Sequence, residues 1–351
     1  ELDFLVRQLV DHASAAKRGN VTGSVGRTLD FGDRLGARLL GPIASTLDRA
    51  DTLLVVPDGP LYDMPWNALV RSVTDDPSRP RSYWIESHAI HSVSSASAFA
   101  EMVRRRPVDD ADRPPIRLAA FGDPSAPEEG VDDMPDPEVR SLAERGFMQW
   151  PPLLFSRSET MRIVDLFEKG ETRLFLGADA TEEALDAIAD QVQVLHFATH
   201  GYLDEHDALN SALVLSIPEP MSTDRHNGVL QIWEIIGRLQ LDADLVVLSA
   251  CNTASGEPLY GGGLQSLARA FHLAGARSVV ATLWPVDDQA TFELMVRFHG
   301  YRSRGSTTAE ALRLAQLELS RGPISLDGSV EERDYSSPYY WAGFVVLGDS
   351  R

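Results

Sequence analysis

Apolar residues fall into two patterns along this chain, and the patterns take turns. Short continuous runs rich in Val, Leu and Ile predict buried strands at 53–56, 117–121, 174–176, 192–199, 212–216, 245–248, 278–283 and 341–347, with a looser alternation at 84–93. Between them, apolar positions recur at helical spacing and predict helices at 28–50, 94–105, 156–167, 181–189, 232–239, 261–274, 289–301 and 307–321. Ser156 and Glu159 have capping-box spacing at the start of one helix. Gly275 is placed to end the helix that Gly261, Gly262 and Gly263 open. The turn residues Pro57 to Pro60 lead into 61–69, a short helical or irregular packing segment. Strands alternating with helices specify an α/β fold with a mostly parallel, doubly wound sheet. A Pro- and Asp-rich stretch, 107–115, predicts a linker between an N-terminal subdomain, 1–106, and a larger one, 116–351. Two polar loops, 122–137 and 217–228, are expected to be the mobile parts, the second a flap over one end of the sheet.

Two buried runs end alike. The run 245–248 stops at Ser249 and Ala250, and Cys251, the sole cysteine, comes next; the run 192–199 is followed by His200 and Gly201. Ligands of open α/β sheets bind at the carboxyl ends of strands. Neighbouring strands lie about 4.8 Å apart, so adjacency of these two would bring imidazole and thiol together. A thiol of pKa about 8.5 is mostly protonated at neutral pH and gains as a nucleophile from a base. Read alone, Cys251 is equally a small buried apolar residue; His200 is what gives it a chemical reading. The pair is 51 residues apart, close to the spacing of about 50 residues in caspases.

Composition narrows the class. The chain has 351 residues and a formal charge of −20, which disfavours nucleic acid as a ligand because phosphate binding needs clustered Lys and Arg. Arg104, Arg105 and Arg106 are read as helix-end cations rather than a basic patch. No apolar run reaches the length of a membrane span, and no signal peptide is seen, so neither membrane nor export is expected. A single cysteine forms no internal disulfide and fits a reducing cytoplasm. The first residue is Glu1, and an upstream segment is expected.

Six stretches together resemble the CHAT domain: Val56-Pro-Asp-Gly-Pro-Leu61, His196-Phe-Ala-Thr-His-Gly201, Val247-Leu-Ser-Ala-Cys-Asn-Thr253, the glycines at 261–263, Leu283-Trp-Pro-Val-Asp-Asp288 and Tyr339-Tyr-Trp-Ala-Gly-Phe344. The family is a bacterial caspase-like module among clan CD cysteine peptidases, usually joined to tetratricopeptide repeats. The resemblance covers nearly the whole chain. It implies a caspase-like three-layer sandwich, with a degenerate half before an active half, and His200 with Cys251 as the catalytic dyad of a cysteine endopeptidase. It implies a protein substrate, an upstream repeat domain or sensor partner as regulator, and no cofactor. The alternative is a catalytically silent caspase-fold scaffold; a nucleotide-binding reading fails because no Lys-Ser or Lys-Thr follows the glycines.

The N–H groups of Gly201 and Cys251 suit an oxyanion hole, glycine allowing close approach; a turn glycine is the alternative. His196 is expected to be a hydrogen-bonded core residue rather than a zinc ligand, since His-x-x-x-His is diagnostic on a helix and these residues read as strand. Asn252, adjacent to Cys251, is not given a triad role. Ser249 and Ala250 are expected to line the pocket for the residue before the cleaved bond, which their size and neutrality suit to Leu or Met. Asp287 and Asp288 either line that pocket, favouring basic side chains, or cap the helix that follows.

Overall fold

The computed structural model describes residues 1–14, 21–71, 82–104, 113–125, 153–204, 207–216, 226–249, 251–252, 263–325 and 332–351. The expected linker 107–115, the loops 122–137 and 217–228, Ala250 and the first two glycines of 261–263 fall wholly or partly outside these residues.

The chain forms two compact units: residues 1–104, 260–262 and 283–351 make one, residues 105–259 and 263–282 the other. The Pro- and Asp-rich stretch 107–115 predicts a single cut there. In the structure residues 283–351 pack with the N-terminal residues, for a physical reason. Strand Phe344–Gly348 pairs in parallel with strand Ala89–Ser92, and buried amides bind the segments together. Asn67 Nδ2 donates to Gln316 Oε1 at 3.0 Å and to the Phe344 carbonyl at 3.1 Å. Gln316 Nε2 donates to the carbonyls of Trp341 and Phe344. Buried polar groups need partners, and the Asn67 amide of the N-terminal segment finds both of its acceptors in residues 283–351.

The first unit holds three parallel strands, in the order Thr52–Val55, Ala89–Ser92, Phe344–Gly348. Helix Leu2–Ser14 buries Leu5, Val6, Leu9, Val10 and Ala13 at helical spacing. It packs beside helix Val21–Leu39 over Leu35, Trp66, Trp84 and Ile90. The expected helix 28–50 ends at Leu39, because Gly41 and Pro42 open a 3-10 turn. At 84–93 a 3-10 turn, Trp84–Glu86, precedes a shorter strand. Trp341 lies in a helical turn begun by Pro338, not in the last strand. Gly343 is there because the Trp284 ring, whose Nε1 donates to the Tyr339 carbonyl, leaves no room for a Cβ.

The second unit holds the strands Ser278–Thr282, Leu245–Leu248, Val194–Ala198, Leu118–Pro124 and Thr172–Gly177, adjacent in that order and all parallel. Strands buried on both faces read as continuous apolar runs, and Leu245–Leu248 and Val194–Ala198 are buried at every position. Phe121 stacks on Phe175 and Phe197 of its two neighbouring strands, and Phe197 meets Phe271 of helix Gly263–Ala274. A second, four-stranded sheet belongs to this unit, in the order Val229–Gln231, Ala212–Val214, His200–Tyr202, Cys251–Asn252. The α/β class and mostly parallel sheet are as the sequence pattern specifies.

Candidate active site

The site is made by two chain segments that behave identically. Strands Val194–Ala198 and Leu245–Leu248 are parallel neighbours, with Phe197 opposite Leu248. Both segments then leave the parallel sheet. Three residues further on in each, His200 lies opposite Cys251 and Gly201 opposite Asn252, again parallel, in the small sheet. Equal step lengths keep the register, so the two residues singled out from sequence meet across one strand spacing, about 4.8 Å. The expectation put His200 at the end of a long strand; the structure starts a new strand there. Its other edge pairs antiparallel with Ala212–Val214, His200 opposite Val214.

His200, Thr199 and Gly201 are buried. Ser249 is buried too, and its hydroxyl has no hydrogen-bond partner among the described residues. Asp287 and Asp288 belong to the first unit. Asp287 caps helix Asp288–Ser303: its Oδ1 accepts from the Ala290 N–H at 2.9 Å, and its Oδ2 accepts from Arg333 at 2.8 Å.

The strand that leads to His200 is held by helix Ser156–Val164. His196 Nε2 lies 2.9 Å from Glu159 Oε1, with both side chains buried. His196 therefore has the hydrogen-bonded core position expected of it. The capping box read from Ser156 and Glu159 is corrected. The cap position is Phe155, which makes no side-chain cap bond. The Ser156 hydroxyl bonds the buried Ala198 carbonyl and the half-buried Asp123 N–H, and the Glu159 carboxylate bonds the buried His196, all on neighbouring strands. A histidine inside an apolar strand needs a buried partner, and that need was the sequence signal for Glu159. The capping box that does form at a helix start in this unit is Gln231 with Glu234.

Glu234 belongs to a charged cluster flanking the small sheet. Arg238 donates to Glu182 at 2.7 Å and pairs with Asp186, His226 Nε2 lies 3.0 Å from Asp186, and Glu182 accepts the Gly228 N–H. Burial, then repulsion from Glu182, pushes the Glu234 carboxyl up to about 7. A raised carboxyl binds protons more tightly in the folded chain than in the unfolded one. Its protonation therefore stabilises the fold below the ordinary value of 4.5, and that stabilisation is lost as pH rises through about 7. Between pH 5 and 8 the loss is about 3 kcal/mol at most. Glu234→Gln is expected to flatten the pH dependence of the urea midpoint across this range and to raise stability at pH 8; an unchanged slope would remove Glu234 as its source.

No helix among the described residues is long and apolar enough to cross a membrane. No cluster of three or more His, Cys, Asp or Glu among them is arranged to hold a metal ion.

Comparison with known proteins places this geometry in context. The CHAT domain family model matches residues 29–349. Tetratricopeptide repeat protein 28 of Mus musculus is 25% identical over 344 residues, and that of Homo sapiens 24% over 336; each alignment covers 88% of this chain and 12% of the relative. The chain thus spans about an eighth of the length of these relatives. Among solved structures, separase in the Saccharomyces cerevisiae separase–securin complex aligns at TM-score 0.45 and 14% identity, over 82% of this chain and 15% of that one. The Arg-specific cysteine proteinase gingipain R aligns at TM-score 0.46 and 8% identity, over 100% of this chain and 74% of that one.

Proposed function

The chain belongs to the CHAT domain family, and from that premise we propose that it is a cysteine endopeptidase acting through His200 and Cys251. The observation that carries this reading is the parallel register of Cys251 with His200. His200 accepts the thiol proton as Cys251 Sγ attacks the peptide carbonyl. The N–H groups of Gly201 and Cys251 donate to the oxyanion. Collapse breaks the C–N bond, the leaving amine takes its proton from His200, and water hydrolyses the acyl-enzyme. Substrates are proteins, and a repeat-bearing region or sensor partner controls access.

The residue before the cleaved bond is neutral or apolar, such as Leu or Met. Ser249 supports this, since it brings a hydroxyl and no charge, and a buried Arg or Lys without a carboxylate partner costs several kcal/mol. The carboxylate of Asp287 is already engaged by Arg333 and a helix N-terminus. A positional-scanning peptide library tests the proposal. Cleavage after Leu or Met that disappears when Cys251 is alkylated is the expected result. Preference for Arg or Lys that Asp287→Asn or Asp288→Asn abolishes would overturn the assigned pocket. No cleavage of any member, by the chain alone or with a repeat-bearing partner added, would favour the silent scaffold.

A further inference from the structure

We infer that Ser156 is a positioning residue for His200, its hydroxyl setting the point at which the His200 segment leaves the parallel sheet; this rests on the peptidase reading above. Ser156 Oγ donates to the Ala198 carbonyl at 2.5 Å and accepts the Asp123 N–H at 2.7 Å. Ala198 is the last residue of its strand and stands two residues before His200. Gly122 and Ala198 form the last register pair of the two strands, and beyond it the register of Leu118–Pro124 with its other neighbour shifts. Asp123, at the shift, has φ +50°, the one non-glycine residue with positive φ among those described. The strands diverge here, and one buried hydroxyl joins their ends.

The rest of the helix is seated to keep that hydroxyl in place. Thr160 Oγ1 donates to the Ser156 carbonyl. A Cβ on Gly122 would meet Thr160 Cγ2 at 2.7 Å, so the helix lies directly on the strand backbone. One turn along, Glu159 holds His196, four residues before His200. Serine near a helix start ordinarily serves as a cap; Ser156 serves none, and its hydroxyl is used on two backbone groups of other strands. The pairing of His200 with Cys251 needs both segments to take equal steps out of the sheet, and Ser156 fixes where one of those steps begins. Misplacement of a catalytic group by about 1 Å can cost about 100-fold in rate.

The test compares Ser156→Ala with Ser156→Thr, which keeps the hydroxyl. Three readouts are taken: thermal unfolding, kcat and KM on a peptide substrate, and the pH profile of alkylation by iodoacetamide. Cys251 is the sole cysteine, so alkylation reads it alone. Expected for a folded Ser156→Ala is a kcat lower by about 10- to 100-fold with little change in KM, a displaced alkylation profile, and recovery of both in Ser156→Thr. A folded Ser156→Ala with wild-type kcat and profile would overturn the assignment, as would a loss tracking only the unfolded fraction. If Ser156→Ala does not fold, amide exchange in the unsubstituted chain decides: an Asp123 amide protected like those of its strand supports the bridge, and exchange at the rate of an open amide overturns it. Alkylation needs no turnover, so failure of the peptidase reading, seen as cleavage that survives Cys251→Ala, is a separate result from failure of this one.

Discussion

Cys251→Ala and His200→Ala are each expected to lower peptide cleavage by about 10⁴-fold or more while the chain stays folded, and the double variant is expected to be little worse than either. Non-additivity follows from the geometry. The two residues are paired in register across adjacent strands, and a base without its nucleophile, or the reverse, performs no part of the reaction. Small side chains at these positions keep the backbone pairing of the small sheet, so circular dichroism and melting should be near those of the wild type. An acyloxymethyl-ketone peptide probe should label the wild type at Cys251 and label neither variant. A Cys251→Ala protein that keeps more than about a tenth of the rate would exclude the dyad. A chelator is expected to leave the rate unchanged, and a thiol alkylator to abolish it. The reverse pattern, inhibition by chelator with Cys251 unmodified, would require a metal mechanism.

The largest effect on stability is expected at Gly275. Helix Gly263–Ala274 must stop there for strand Ser278–Thr282 to run beside strand Leu245–Leu248, the strand that precedes Cys251. Gly275 has φ +122°, and a Cβ would lie 2.0 Å from the Leu241 carbonyl oxygen. That backbone cannot retreat easily, because the Leu241 N–H is bonded to the Ala274 carbonyl at 2.7 Å. Gly275→Ala therefore combines a disfavoured dihedral with a backbone clash, and a loss of about 3 kcal/mol or more is expected in urea unfolding. Gly237, inside helix Ile232–Arg238, has open space around a Cβ. Gly237→Ala should leave stability equal or raise it by about 0.5–1 kcal/mol. A Gly275→Ala variant as stable as Gly237→Ala would show that the helix end relaxes at no cost.

The sequence by itself determined the elements whose signal is local. The runs at 194–198, 245–248 and 278–282 are dominated by Val, Leu, Phe and Ala, with His196, Ser278 and Thr282 the polar exceptions, because both faces of the sheet are covered. The helix that Gly275 ends is legible because only glycine tolerates that backbone conformation. The residues of the candidate dyad were legible too, since both polar residues stand where buried runs end. Tertiary structure alone decided the rest, because its causes lie far apart in the chain. Whether His200 and Cys251 meet depends on which strands are neighbours and on equal three-residue steps into a second sheet, and neither is a property of one segment. Ser156 and Glu159 carry a convincing local cap pattern, but a buried carbonyl and a buried imidazole from another strand outbid the helix end for their side chains. Residues 283–351 look in sequence like a continuation of the second half. They pack instead with residues 1–104, where strand Phe344–Gly348 pairs with Ala89–Ser92 and the buried Asn67 amide donates to Gln316 and to the Phe344 carbonyl. Hydrophobic period reports which face of an element is buried; it carries no information about what buries it.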